Sequence, residues 1–183
     1  MNSYSQELKF TNKLGYTVGK SSTLKKIMLC TQNDIGVEIN IKDRLFFCSS
    51  LGVIRLRFDN SDTAYSQVFN THYYLTTPFS IKKYYPLSKR SSMFWEFGVM
   101  TSYHLTANKE IRSAANYTVQ KQKDLGFVFG LCSNLGFKTR ITENISFDIG
   151  LYGQTDLLYI YKNNQNKIET DKRCFAISFY RKL

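Results

Sequence analysis

The stretch NISFDIGLYGQTD, Asn144 to Asp156, decides the fold. Ile145, Phe147, Ile149 and Leu151 fall on one parity. Ser146, Asp148, Gly150, Tyr152, Gln154 and Asp156 fall on the other. Side chains of an extended strand alternate between its two faces, so this segment is a strand with one apolar side and one polar or small side. Helical spacing would mix the two sets.

The same period runs outward in both directions. Leu125, Phe127, Phe129, Leu131, Leu135 and Phe137 oppose Gly126, Val128, Gly130, Cys132, Asn134 and Gly136. Phe175, Ile177 and Phe179 oppose Cys174, Ala176, Ser178 and Tyr180. Upstream, Trp95, Phe97, Val99 and Tyr103 oppose Glu96, Gly98, Met100, Ser102 and His104, while Tyr73, Leu75, Phe79 and Ile81 oppose His72, Tyr74, Thr76, Ser80 and Lys82. Ile35, Val37 and Ile39 oppose Gly36, Glu38 and Asn40, and Phe10, Leu14 and Tyr16 oppose Lys9, Thr11 and Lys13. A further run, about Arg44 to Phe58, is apolar on both sides in places and leaves its phase open. Eight strands of roughly 8 to 15 residues result, and an even number of long strands suits a closed antiparallel barrel. Pro78 cannot donate to a ladder, so a bulge or bend is expected there.

The connections alternate in length. Asn40 to Arg44, Tyr85 to Ser91 and Lys138 to Asn144 are short, whereas Lys20 to Asn33, Asp59 to Asn70, Ala107 to Lys123 and Lys162 to Lys172 are longer and polar. Membrane barrels show this asymmetry, with tight turns on one side and extended loops on the other. The expected fold is therefore an all-β, eight-stranded antiparallel up-and-down transmembrane β-barrel, a single domain over residues 1–183.

Composition excludes several other classes. The longest charge-free stretch, Thr63 to Ile81, is rich in Thr, Ser, Asn and Gln, so no apolar transmembrane helix is present. The formal net charge is +11, but the basic residues are dispersed in pairs and form no nucleic-acid motif. Cys30, Cys48, Cys132 and Cys174 lack metal-ligand spacing, so free thiols are expected, with no metal and no cofactor. The segment MNSYSQELKFTNKLG has no signal-peptide core; a leader is expected to have been removed.

Four stretches resemble the small outer-membrane β-barrel proteins of Bacteroidota, the porin-family or PorT-like barrels. Tyr73 to Tyr85 (YYLTTPFSIKKYY) is similar to that family's YLxIPLLxKYY strand, and Phe94 to Gly98 followed by Tyr103-His104-Leu105 to its next strand. Lys123 to Gly130 (KDLGFVFG) resembles the kDfGlvxG opening, and Ile145 to Leu151 with Ile177 to Tyr180 the last two strands. The four cysteines and the terminal Leu183 depart from the pattern. The resemblance implies fold and an outer-membrane location, and the family has no single biochemical activity.

In a membrane barrel the apolar parity meets lipid and the polar parity fills the lumen. Tyr16, Tyr73, Trp95, Tyr103, Tyr159 and Tyr161 are then expected at the two interfaces. Lys9, Lys13, Glu38, Lys82, Glu96, His104, Asp148 and Asp156 are expected inside as a salt-bridged cluster, with Lys82 and Glu96 on adjacent strands as one pair. The implied role is structural, binding or accessory. The partners expected are outer-membrane lipid and lipopolysaccharide, with a further protein meeting the long loops. Two alternatives stay open. A soluble lipocalin-like barrel would invert the faces and line its interior with Leu125, Phe127, Phe129, Ile145, Phe147 and Ile149. A barrel-wall lipid hydrolase would need His72 or His104 beside Thr71 or Ser102, but no hydrolase motif accompanies them, and no catalytic residue is assigned.

Overall fold

In the computed structural model the alternating segments form one antiparallel sheet that closes on itself. Residues 6–20, 25–59, 66–113, 117–122, 126–161 and 169–183 are described. They form β1 (Gln6–Lys20), β2 (Lys25–Lys42), β3 (Leu45–Asp59), β4 (Ser66–Pro86), β5 (Ser91–Ser113), β6 (Tyr117–Gln122), β7 (Gly126–Arg140), β8 (Ile145–Tyr161) and β9 (Glu169–Lys182). Each barrel strand pairs with the next, and β9 pairs with β1 from Glu7↔Lys182 to Lys20↔Glu169. The first part of β5 pairs with β7, and its last part turns back as a hairpin with β6, from Ala107↔Gln122 to Arg112↔Tyr117. Eight strands thus make the ring, and β6 is an extension beyond it. Closure pairs the main-chain groups that an open sheet would leave along its edges.

The barrel strands are longer than their alternation suggests, from 14 residues in β9 to 23 in β5. Much of what reads as long polar links is strand: β2 begins at Lys25, β4 at Ser66 and β9 at Glu169. There the strict alternation is lost, with Ile27, Met28 and Leu29 adjacent in β2 and Glu169 to Arg173 all polar in β9, so the sequence period fades while the ladder continues. At the other end the turns are tight. Asp43 (φ 44°) and Arg44 (φ 67°) are both left-handed, as a two-residue hairpin turn requires, and Lys83 Nζ donates to the Asp43 carbonyl at 2.8 Å. The Ser88 hydroxyl accepts from the amides of Arg90 and Ser91, and the Thr142 hydroxyl from those of Asn144 and Ile145.

Pro78 introduces no bulge. The β3–β4 ladder skips Ser50 and Leu51 opposite Thr77 and Pro78, then resumes in the same register. The missing donor opens a gap without adding a residue. The shifts lie elsewhere: between Tyr73 and Tyr74 and between Phe129 and Gly130, where Leu105 and Leu157 are the extra residues on the opposing strands, and between Asn40 and Lys42, where Ile41 is extra.

The barrel is inverted relative to a water-soluble one. Large apolar side chains stand on the outside, among them Phe10 (48% exposed), Leu135 (54%), Phe179 (55%) and Phe175 (65%). The phase of β3 is settled in the same sense: Cys48, Ile54 and Leu56 point inward, while Leu51 and Val53 point outward. Phe127, Ile145 and Ile149, which a lipocalin-like interior would need, are exposed on the outer face. Leu125 lies outside the described residues.

All four cysteines are buried and free. Cys30 and Cys174 are both register partners of Gly15, so they sit two strands apart. That places their Cα atoms roughly 9–10 Å from each other, too far for a disulfide.

Candidate functional site

The polar parity gathers charged side chains in the lumen. Nearest the short turns, the fully buried Lys82 of β4 donates to Asp148 Oδ2 of β8 at 2.9 Å, to the Tyr180 hydroxyl of β9 at 2.8 Å and to Glu38 Oε2 of β2 at 3.4 Å. Tyr180 donates to the same Asp148 oxygen, and Tyr84 donates to Glu38 Oε1 at 2.6 Å. The ammonium also lies 3.8 Å from the centre of the Phe94 ring. Lys138 of β7 bridges Glu7 and Glu38 Oε1, the latter at 3.3 Å. Strands that are mostly not ladder neighbours are tied together through one lysine. Burying these charges is expensive, and only the mutual pairing with hydroxyl donors offsets the lost hydration.

Midway up, Glu96 meets Lys9 at 3.7 Å and accepts from the Ser80 hydroxyl at 2.5 Å. Lys13 meets Asp34 at 2.7 Å and rests over the Tyr152 ring at 3.8 Å, while Gln32 Nε2 donates to both Asp34 oxygens. Gly52 is the register partner of Asp34, and a β-carbon there would collide with this carboxylate. Ile54, Leu56, Met100, Val128, Cys30, Cys132 and Cys174 form an apolar layer in the interior together with Tyr152, the ring under Lys13. Toward the long loops, Asp156 takes bonds from Thr170 and Gln154 and stands 3.9 Å from Lys172. His72 Nδ1 and His104 Nε2 are 3.2 Å apart, with the Tyr74 ring packed on His104.

The expected lumen residues Glu38, Lys82, Glu96, His104, Asp148 and Asp156 all point inward, but they do not form one cluster. Glu38, Lys82 and Asp148 join near the short turns; Asp156 and His104 lie near the long loops. Lys82 and Glu96 are directly opposed in the β4–β5 ladder, yet they take different partners. Lys82 reaches across the lumen to β8, β9 and β2, while Glu96 turns to Lys9 of β1. The sequence reading misses Glu7, Asp34, Tyr84, Lys138 and Tyr180 as partners. Extending the polar parity along β2, β4 and β7 reaches Asp34, Tyr84 and Lys138. Tyr180 stands on the inward parity of β9, but nothing in its local spacing gives it a role.

Of the expected interfacial aromatics, Tyr16, Trp95 and Tyr103 are exposed on the outer face, and Tyr73 shares that face, half-buried. Trp95 belongs to the short-turn end, where its indole donates to the Tyr85 hydroxyl at 2.9 Å. Tyr16, Tyr73 and Tyr103 stand toward the long-loop end. Tyr159 and Tyr161 pair with Val128 and Gly126 in the β7–β8 ladder, and their side chains lie outside the described residues. Of the residues that a barrel-wall hydrolase would use, Ser102 donates its hydroxyl to Thr76 at 3.1 Å, and the rings of His72 and His104 face each other with centres 5.3 Å apart.

No family model matches the chain, and no curated protein matches it by sequence. Solved structures do match. The outer membrane protein OprG from Pseudomonas aeruginosa aligns over 98% of this chain and 96% of its own, with a TM-score of 0.53 and 10% identity. Neisserial surface protein A aligns over 98% and 97%, with a TM-score of 0.51 and 12% identity. A major outer membrane protein from Thermus thermophilus aligns over 97% and 99%, with a TM-score of 0.50 and 10% identity. At these identities the likeness is one of fold: the chain is an eight-stranded up-and-down barrel of the architecture seen in outer-membrane proteins.

Proposed function

We propose that the chain is an integral barrel of the bacterial outer membrane with a structural, binding or accessory role, of the small Bacteroidota porin-family or PorT-like kind. The observation that carries this reading is the continuous outer belt of exposed Phe, Leu, Ile and Val around a polar interior. A belt on that scale is far beyond the few hundred Å² of apolar patch that a soluble monomer tolerates. The similar solved folds are outer-membrane proteins, which supports the location. In this reading the short turns face the periplasm and the long loops face outward, where a protein partner would meet them. Arg55 and Arg173, exposed on the outer wall toward the long loops, suit the anionic head groups of lipopolysaccharide.

The lumen in this proposal is closed rather than conducting. Lys82, Glu38 and Asp148 are fully buried, the Phe94 ring lies against the Lys82 ammonium, and Met100 and Ile54 are fully buried in the apolar layer. Eight strands leave space for side chains and little more. Reconstituted into planar bilayers, the protein is expected to give no sustained ohmic current at moderate voltage. A steady conductance that rises linearly with salt would contradict the closed lumen and favour a pore.

A further inference from the structure

The lumen lysines are matched by carboxylates, so the basic excess of the chain lies elsewhere, and part of it surrounds one cavity. At the short-turn mouth, Arg44, Lys89, Arg90, Lys138 and Arg140 line a cup of about 360 Å³, with Glu7 the one carboxylate among the lining residues described. Glu7 is engaged by Lys138, which also meets Glu38. That leaves Arg44, Lys89, Arg90 and Arg140 with no carboxylate in the lining; Asp43 and Glu143 belong to the adjacent turns, outside it. The floor is Phe46 set edge-on against Tyr84, with ring centres 5.2 Å apart, and Tyr84 is fixed to Glu38 of the network above. The cup is therefore blind.

Its walls are ordered. The Arg140 amide donates to the Arg90 carbonyl at 2.8 Å, tying the two turns that carry these guanidinium groups. Arg140 pairs in the ladder with Ser146, another lining residue, so both stand on the lumen side of the wall rather than the lipid side. Arg44, Arg90, Arg140 and Lys89 all line this one space, with Ser92 and Ser146 beside them. Guanidinium forks bind phosphate oxygens in pairs, and an anion there would relieve the mutual repulsion of the four cations.

We propose that the short-turn mouth is a binding site for a small phosphate-bearing anion. The site goes beyond the outer-membrane role and does not depend on which side of a membrane the mouth faces. The phosphate has two conceivable sources, a soluble phosphate ester or a phospholipid head group bending over the rim; both use the same chemistry. The test is calorimetric titration of inorganic pyrophosphate into the folded barrel in an uncharged detergent, with closure checked on the same samples by gel mobility. Saturable binding is expected, weakened about tenfold or more in Arg90→Gln/Arg140→Gln and unchanged in Arg181→Gln, an exposed arginine on the outer wall outside the cup.

Absence of saturable binding to the closed wild-type barrel overturns the proposal, as does equal weakening by Arg181→Gln. A barrel that folds without detergent would sink the outer-membrane reading alone, and the titration would then be run on that soluble form. Repeating the titration in nanodiscs of phosphatidylcholine with and without phosphatidylglycerol separates the sources. Loss of pyrophosphate binding with phosphatidylglycerol assigns the site to a head group, and retained binding assigns it to a soluble ester.

Discussion

Replacing Lys82 by Met is expected to destabilise the folded barrel by about 3–5 kcal/mol, the usual cost of stranding one side of a buried ion pair. The substitution fits the volume but removes the ammonium that Asp148, Glu38 and Tyr180 share. Glu38 keeps Lys138 and Tyr84, so Asp148 is left with the larger deficit. Adding Asp148→Asn to Lys82→Met should therefore recover part of the loss, because the stranded charge disappears with it. Urea unfolding followed through Trp95, the only tryptophan, reads both effects. A cost below about 1 kcal/mol for the single variant would be that of a solvated surface pair and would contradict a dry, shared network.

The second large effect separates a lipid-facing wall from a water-facing one. Phe175 is 65% exposed in the outer belt, between Tyr16 at one interface and Trp95 at the other. In a bilayer, Phe175→Arg should cost about 2–4 kcal/mol, because the guanidinium must leave water for hydrocarbon. On a soluble barrel the same change would lie within about 0.5 kcal/mol of neutral. Leu87→Arg supplies the depth control. Leu87 is similarly exposed but sits in the short turn outside the belt, so its effect in a bilayer should be near zero. Equal and small effects at both positions would remove the case for a lipid-facing belt.

The sequence made some of this legible and hid the rest for physical reasons. Period-two alternation identified the ring strands and their inward faces, because each residue between Ile145 and Asp156 must choose between two environments. It failed where the choice vanishes. At the outer ends of β2, β4 and β5 apolar and polar residues no longer alternate, as in Ile27-Met28-Leu29 and Val68-Phe69, so they read as links, and β6 leaves no trace in the pattern. Pro78 correctly marked a lost donor, but a ladder can skip one bond without gaining a residue. The lumen population was legible and its pairing was not. Lys82 and Glu96 are adjacent across a ladder, yet contacts inside a closed ring depend on how far each strand is staggered around the whole circumference. That brings Asp148 of β8 to Lys82 of β4, a proximity invisible to local spacing. The cup at the short-turn mouth was hidden likewise, since its arginines come from three separate turns.

The central claim is that the apolar parity faces lipid. Protein refolded into detergent micelles and run on a gel in SDS, with and without boiling, tests it most directly. A closed membrane barrel keeps its fold in SDS until heated, so the unboiled sample should run at a different mobility and the boiled one at the position of the unfolded chain, with no folding in buffer alone. A single band unaffected by boiling, together with a folded monomer in detergent-free buffer, would contradict the account and turn the belt of Phe10, Phe127, Phe175 and Phe179 into a surface it does not explain.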